Sequence, residues 1–167
     1  EVVMGTLGKA LGSVGGFIAG SSRLTEFLES KGRSILFTTA LPPAAVAASL
    51  EALMVIREEP ELRRKLWRNT TFFRGRLKRN GLHLLAGETP IIPIIIGETS
   101  DAERLAGVLF SKGIFVSRVG YPYVPEGQAR LRTIVSAQHT NEELAYCADA
   151  ISGSIKEIGL EQKLADK

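Results

Sequence analysis

The spacing of apolar positions changes several times along the chain, and each change marks an element. "EVVM", residues 1–4, reads as a short strand that enters a glycine turn, and "GGFIAG" reads as a second. "SSRLTEFLESKG" switches to helical spacing through Leu24, Phe27 and Leu28, with Ser21 or Ser22 as N-cap and Gly32 as the stop. "ILFTTALPP" is predicted to be extended up to its two prolines. Pro43 suits the first turn of a long helix, where its missing N–H has no partner to lose. That helix, "PAAVAASLEALMVIREE", carries small residues on its first turns, as expected for close packing. Pro60 interrupts the pattern, and "ELRRKLWRNTTFFRGRLKRNG" resumes it with Leu62, Leu66, Phe73 and Leu77.

After Asn80-Gly81 the character changes. "IIPIII" is a buried strand, and "SDAERLAGVLFSKG" is a helix capped by Ser100 or Asp101 and closed by Gly113. "IFVSRV" and "ARLRTIV" are two further strands. "TNEELAYCADAISGSIKEIG" is the closing helix, with Thr140 and Glu143 in the S/T-x-x-E spacing of a capping box. Strand, helix, strand, strand, helix predicts an α/β layer packed on one side by helices.

Composition narrows the class. The 167 residues, 44% of them hydrophobic, suffice for a core of ordinary domain size. Net charge is only +3, with basic residues mixed among acidic ones, so no nucleic-acid partner is predicted. The basic face of residues 61–81 is read as solvated helix surface rather than an anion site, because no aromatic interleaving is apparent on it. The single cysteine, Cys147, argues against a disulfide framework and a metal site, and reads as a small core side chain. No apolar run approaches membrane-spanning length and no secretory signal is visible, which predicts a cytoplasmic protein. Glu1 stands at the start of what reads as a buried strand, so the chain is read as part of a longer polypeptide.

The candidate chemistry sits in "GTLGKALGSVGG", where Lys9 is the one charge among five glycines. The spacing fits neither a P-loop nor a dinucleotide fingerprint, and no hydrolase nucleophile elbow occurs. His83 and His139 fall in loop-like positions and read as structural. What remains is amine chemistry: a lysine becomes a nucleophile or Schiff-base partner once it is desolvated. Small neighbours let a planar cofactor approach its nitrogen, and Thr6 offers a hydroxyl for a phosphate.

"TLGKALGSVGG" resembles the lysine signature of fold-type I (class II) pyridoxal-phosphate enzymes, and specifically of the α-oxoamine synthases. The resemblance continues through "SILFTTALPP", "TPIIPIIIG" and "GIFVSRVGYPYVPEGQARLRTIVSAQHT" to the closing helix. Within the family the last of these segments is most similar to the glycine C-acetyltransferases, with the 8-amino-7-oxononanoate synthases remaining open. The resemblance implies an α/β fold, the C-terminal half of a fold-type I transferase. Residues 1–40 would end the large cofactor domain, 41–80 would be linking helices, and 81–167 would form the small C-terminal domain. It also implies a homodimer that condenses an amino acid, glycine in the first instance, with an acyl-CoA such as acetyl-CoA.

Carried over by residue, Lys9 would hold pyridoxal phosphate and move the substrate proton, and Thr6 would bond the cofactor phosphate. Thr38 and Thr39 would reach the phosphate of the neighbouring subunit, and Ala40 stands where relatives often have serine. Arg132 would pair with the substrate carboxylate, while Arg130, on the same strand face, would brace the domain. The family's ring-nitrogen aspartate, ring-stacking histidine and phosphate loop are not found here and would precede Glu1. The competing reading is a folded, non-catalytic dimerisation module.

Overall fold

The computed structural model describes residues 1–160. It divides into two compact units, Glu1–Pro60 and Glu61–Lys167, each described by itself. The last seven positions of the predicted 81–167 domain lie outside the described residues.

In the first unit, β1 (Val3–Thr6) and β2 (Gly16–Ala19) form an antiparallel hairpin in which Thr6 faces Gly16 and Val3 faces Ala19. Helix α1 (Ser22–Lys31) follows. The Ser21 hydroxyl accepts the Leu24 N–H at its start, and Gly32 caps its end. Ile35 and Leu36, the first two residues of the segment predicted to be extended, instead close a helical turn, α2 (Arg33–Leu36). Gly32 lets the chain restart, since its carbonyl accepts the N–H groups of both Ile35 and Leu36. The chain is irregular only from Phe37 to the prolines. Helix α3 (Pro43–Glu58) starts with Pro43 in its first turn. Its small residues do not produce the expected close packing, because Ser49 is the only one of its residues that is buried.

In the second unit, α4 (Pro60–Arg79) leads to β3 (Ile91–Gly97), α5 (Thr99–Ser111), β4 (Ser117–Val119), β5 (Ala129–Ile134) and α6 (Asn141–Glu157). The sheet order is β3-β5-β4, antiparallel at both junctions. Along β5 the residues alternate strictly: Ala129, Leu131 and Thr133 are buried, whereas Arg132 and Ile134 face out. The core forms where Leu131, Ile92 and Ile94 of the sheet meet Phe73 and Leu77 of α4, Leu105 and Leu109 of α5, and Ile151 of α6.

Three local expectations change. Helix α5 begins two or three residues earlier than Ser100 or Asp101 would place it, with Glu98 at the N-cap. Gly97, at φ 107°, ends β3 and lets the helix start at once. Only Ser117–Val119 of "IFVSRV" joins the sheet. Gly113, at φ 78°, turns the chain so that Ile114 enters the core and Phe115 points to solvent. In α4 Leu62 is exposed, and the buried line runs through Asn69, Thr70, Phe73 and Leu77.

Asn69 is the polar member of that line. Its Nδ2 donates to the carbonyls of Ser136 (3.0 Å) and His139 (2.9 Å), and His139 Nδ1 accepts the Ser136 N–H. This latch fixes the loop between β5 and α6. Farther along α4, Arg76 pairs with Asp149 at 2.6 Å and Asn80 donates to both Asp149 and the Ala148 carbonyl. The hydrogen bond from Arg76, and then that from Asn80, hold the Asp149 carboxyl below its ordinary range. The capping box forms as predicted: Thr140 Oγ1 accepts the Glu143 N–H, and the Glu143 carboxylate accepts the Thr140 N–H. Half-buried Cys147 packs on the core, and burial pushes its thiol up to about 11.

Asn69→Ala strands two carbonyls at a buried position, and each lost partner costs about 1–3 kcal/mol. We expect it to lower the midpoint of urea unfolding more than Thr140→Ala, whose lost cap costs about 1 kcal/mol. Equal midpoints for Asn69→Ala and wild type would show that the latch carries no stability.

Candidate functional site

Lys9 rides on the β1–β2 connection, and the shape of that connection follows from its glycines. A Cβ on Gly16 would stand 2.8 Å from the Gly5 carbonyl oxygen, and one on Gly5 would run into the Phe17 ring. The Gly16 backbone therefore approaches that of Gly5 as closely as it does because Gly16 lacks a side chain, while the space beside Gly5 is taken by the Phe17 ring. Gly12 (φ 60°) and Gly15 (φ 98°) supply the left-handed turns. The Leu7 N–H donates to the Gly15 carbonyl and the Ser13 N–H donates back to the Leu7 carbonyl, both at 2.9 Å. The Lys9 carbonyl accepts from the Gly12 N–H, which fixes the lysine backbone at the tip. Ser13 Oγ anchors the loop to α3 by donating to the Ala45 carbonyl at 2.9 Å.

Thr6 lies at the foot of this loop. Its Oγ1 accepts the Gly8 N–H at 3.2 Å and makes a long contact of 3.4 Å with the Gly15 carbonyl. The structure thus brings Thr6 and Lys9 into one loop. The Lys9 amine is exposed and has no hydrogen bond or ion pair among the described residues, so the desolvation invoked for an amine nucleophile is not supplied by this loop. Thr38 and Thr39 follow α2 in irregular chain, exposed, with no side-chain hydrogen bond among the described residues. A primary amine in a glycine-lined turn, with the Thr6 hydroxyl at its foot, is a donor set that suits a phosphate-bearing aldehyde.

Arg132 belongs to the second unit, on the solvent face of β5 between Pro93 and Ser117. Arg130 shares that face, but its guanidinium is already engaged. Its Nε donates to the Gln128 carbonyl at 3.0 Å, and a terminal nitrogen donates to the Gln128 side-chain oxygen at 3.3 Å. The Arg132 guanidinium has no partner among the described residues. It lines a cavity of about 460 Å³ together with Phe115, Ile134, His139, Glu143 and Tyr146. The imidazole of His139 is occupied with its own loop, as described above.

Two features escaped the sequence reading. Gln128, two residues before Arg130, decides which arginine is braced. On the basic face of α4, moreover, an aromatic residue does interleave: Trp67 lines one cavity with Arg74 and Lys78. The i, i+7, i+11 spacing of these three residues was the available signal. Among the described residues, no group of three or more His, Cys, Asp or Glu side chains could hold a metal ion, and no helix is long and apolar enough to cross a membrane.

Known proteins bear directly on this arrangement. The chain is 47% identical over 160 residues to 8-amino-7-oxononanoate synthase 1 of Bacillus velezensis, covering 96% of this chain and 41% of that protein. It is 46% identical over 159 residues to 8-amino-7-oxononanoate synthase of Thermoanaerobacter pseudethanolicus, covering 95% and 39%. Among solved structures it superposes on Sphingomonas wittichii serine palmitoyltransferase with a TM-score of 0.88 at 26% identity, covering 96% of this chain and 41% of that one. For 8-amino-7-oxononanoate synthase from Francisella tularensis the TM-score is 0.82 at 30% identity, covering 95% and 46%. The chain therefore spans about two fifths of the length of the curated relatives it matches. These relatives carry the name of the branch left open by the sequence, not glycine C-acetyltransferase. The fold is mixed α/β, that of part of a fold-type I transferase. The family model of aminotransferase class I and II matches residues 1–151, and the chain belongs to that family.

Proposed function

We propose that the full-length protein is a pyridoxal-phosphate-dependent α-oxoamine synthase, and that its reaction is that of an 8-amino-7-oxononanoate synthase. In that reaction alanine and pimeloyl-CoA condense, with loss of carbon dioxide and release of CoA. The observation that carries the reading is the 47% identity, spread over 96% of the chain, to a protein of that name. It replaces glycine and acetyl-CoA as the first expectation.

The cofactor, when bound, supplies an electron sink for negative charge at the amino-acid α-carbon. The chain's own residues do the rest. Lys9, at the tip of its turn, is the covalent anchor, and its amine takes and returns the α-proton. Thr6 holds the phosphate from the same loop. Thr38 and Thr39, with unused hydroxyls, serve the phosphate in the partner subunit of a homodimer. Arg132 orients the amino-acid carboxylate; its unpaired guanidinium and the engagement of Arg130 by Gln128 support that choice. The first unit's large exposed apolar side chains, Met4, Phe27 and Phe37 among them, support an active site completed by further protein. In this reading residues 1–40 end the cofactor domain, 41–80 link, 81–167 form the small domain, and the enzyme works in the cytoplasm.

Side-by-side turnover of the full-length enzyme should favour alanine with pimeloyl-CoA over glycine with acetyl-CoA by at least about tenfold in kcat/KM, a transition-state difference of about 1.4 kcal/mol. Preference for the second pair would restore the glycine C-acetyltransferase reading.

Borohydride reduction of the cofactor-loaded enzyme followed by peptide mapping should place the label on Lys9. A label on Lys31 or Lys65 would overturn the anchor.

Once a bound amino acid covers the exposed Arg132, truncating the charge pair costs about 2–5 kcal/mol, so Arg132→Ala should raise the amino-acid KM by more than about tenfold and leave cofactor absorbance intact. Arg132→Lys should rescue poorly, because an ammonium cannot reproduce the planar fork. Arg130→Ala should act mainly on stability. The opposite pattern would move the carboxylate partner to Arg130.

A further inference from the structure

The basic face of α4 is not uniform. Arg64 and Arg68 are paired with Glu61, and Arg76 is paired with Asp149. Their charges are neutralised locally, as expected of a solvated helix surface. Arg74 and Lys78 have no acidic partner among the described residues, although they stand one helical turn apart on one side of the helix. They line a cavity of about 330 Å³ with Trp67 and Thr71 of the same helix and with Gly87 and Thr89 of the following loop, and no acidic residue lines it.

Arg74 is held ready in this cavity. One terminal nitrogen donates to the Leu85 carbonyl at 3.2 Å, which pins the guanidinium against the loop. The other is shielded from solvent and has no hydrogen-bond partner. A shielded donor without an acceptor is costly, more so when it carries charge. The loop beside it carries Gly87, where a Cβ would stand 3.9 Å from that nitrogen, in ordinary contact. Lys78 adds a second cation, the hydroxyls of Thr71 and Thr89 add polar groups, and the partly exposed Trp67 adds a flat face on which a ring can stack.

Two cations, hydroxyls and an indole in a cavity of this size are the requirements of an anion carried on an aromatic ring system. A lone inorganic ion would leave the indole unused. We propose that this cradle on α4 binds the phosphorylated adenosine end of the acyl-CoA substrate, with Trp67 against the base and Arg74 and Lys78 on phosphate. The inference rests on the acyl-CoA reading given above, and it assigns the nucleotide end, not the thioester end, to this chain.

The test uses the full-length, cofactor-loaded enzyme and two probes. Adenosine 3′,5′-bisphosphate, followed by titration calorimetry, should bind the wild type and bind Lys78→Gln and Arg74→Gln at least about tenfold more weakly. Lys78→Gln is the safer variant, because the exposed Lys78 makes no contact that the fold needs. Trp67→Ala should weaken the bisphosphate but not inorganic phosphate. In kinetics, Lys78→Gln should raise the KM for acyl-CoA about tenfold and leave that for the matching acyl-pantetheine thioester, which lacks the nucleotide, within about twofold. Wild-type turnover of acyl-CoA tests the underlying reading separately. If that turnover is present while Lys78→Gln and Arg74→Gln bind the bisphosphate as wild type does, the cradle is overturned. Equal wild-type affinity for inorganic phosphate and the bisphosphate would overturn the nucleotide assignment.

Discussion

The second unit depends on the two-residue period of a single strand. β5 is paired on both sides, so its backbone is fixed and its side chains have only two directions available. Leu131 is fully buried and seats the core of α4, α5 and α6. The same alternation pushes Arg132 out on the opposite face, unpaired. A slip of one residue would send the arginines into the core and the leucine out, which the cost of burying an unpaired charge forbids. The core and the candidate carboxylate-binding residue are therefore one decision of the chain, and burial enforces both.

The first unit works by a different constraint. Its hairpin is shaped by what a glycine lacks, since the approach of Gly5 to Gly16 leaves no volume for a Cβ on Gly16. This closeness, together with the backbone bonds of Leu7, Ser13 and Gly12, determines where Lys9 emerges. The unit has little core of its own: Ser49 is its one buried residue among those described, and its large apolar side chains are mostly exposed. The positioning of Lys9 comes from backbone geometry and from two side chains, Thr6 on the Gly8 N–H and Ser13 on the Ala45 carbonyl.

Much of this was legible in the sequence, because the signals were local. The capping box at Thr140, the stops at Gly32 and Gly113 and the proline at the start of α3 all depend on a few adjacent residues, and all appear in place. The turn at Arg33–Leu36 was missed because the apolar run "ILF" reads as extended unless the restart permitted by Gly32 is considered. The start of α5 was misplaced because its N-cap, Glu98, caps without a side-chain bond, so the better capping residues downstream drew the assignment. The pairing of Trp67 with Arg74 and Lys78 spans three turns of helix and closes only against a loop at Gly87. The spacing was visible but its partner was not. Gln128 was adjacent to the arginines, yet its reach to Arg130 depends on the backbone turn before β5.

The Asn69 latch has a consequence in time. It joins positions 67 and 70 residues apart in the chain, so closing it carries the chain entropy of a long loop. Its acceptors, the Ser136 and His139 carbonyls, lie between the end of β5 and the start of α6. Where such a bond forms after the folding barrier, it is broken ahead of that barrier on the way back. It contributes little to how fast the unit folds and more to how slowly it opens. The Asn69 amide is thus one of the contacts, with the strand pairing and the core, that must give way before the end of β5 can open.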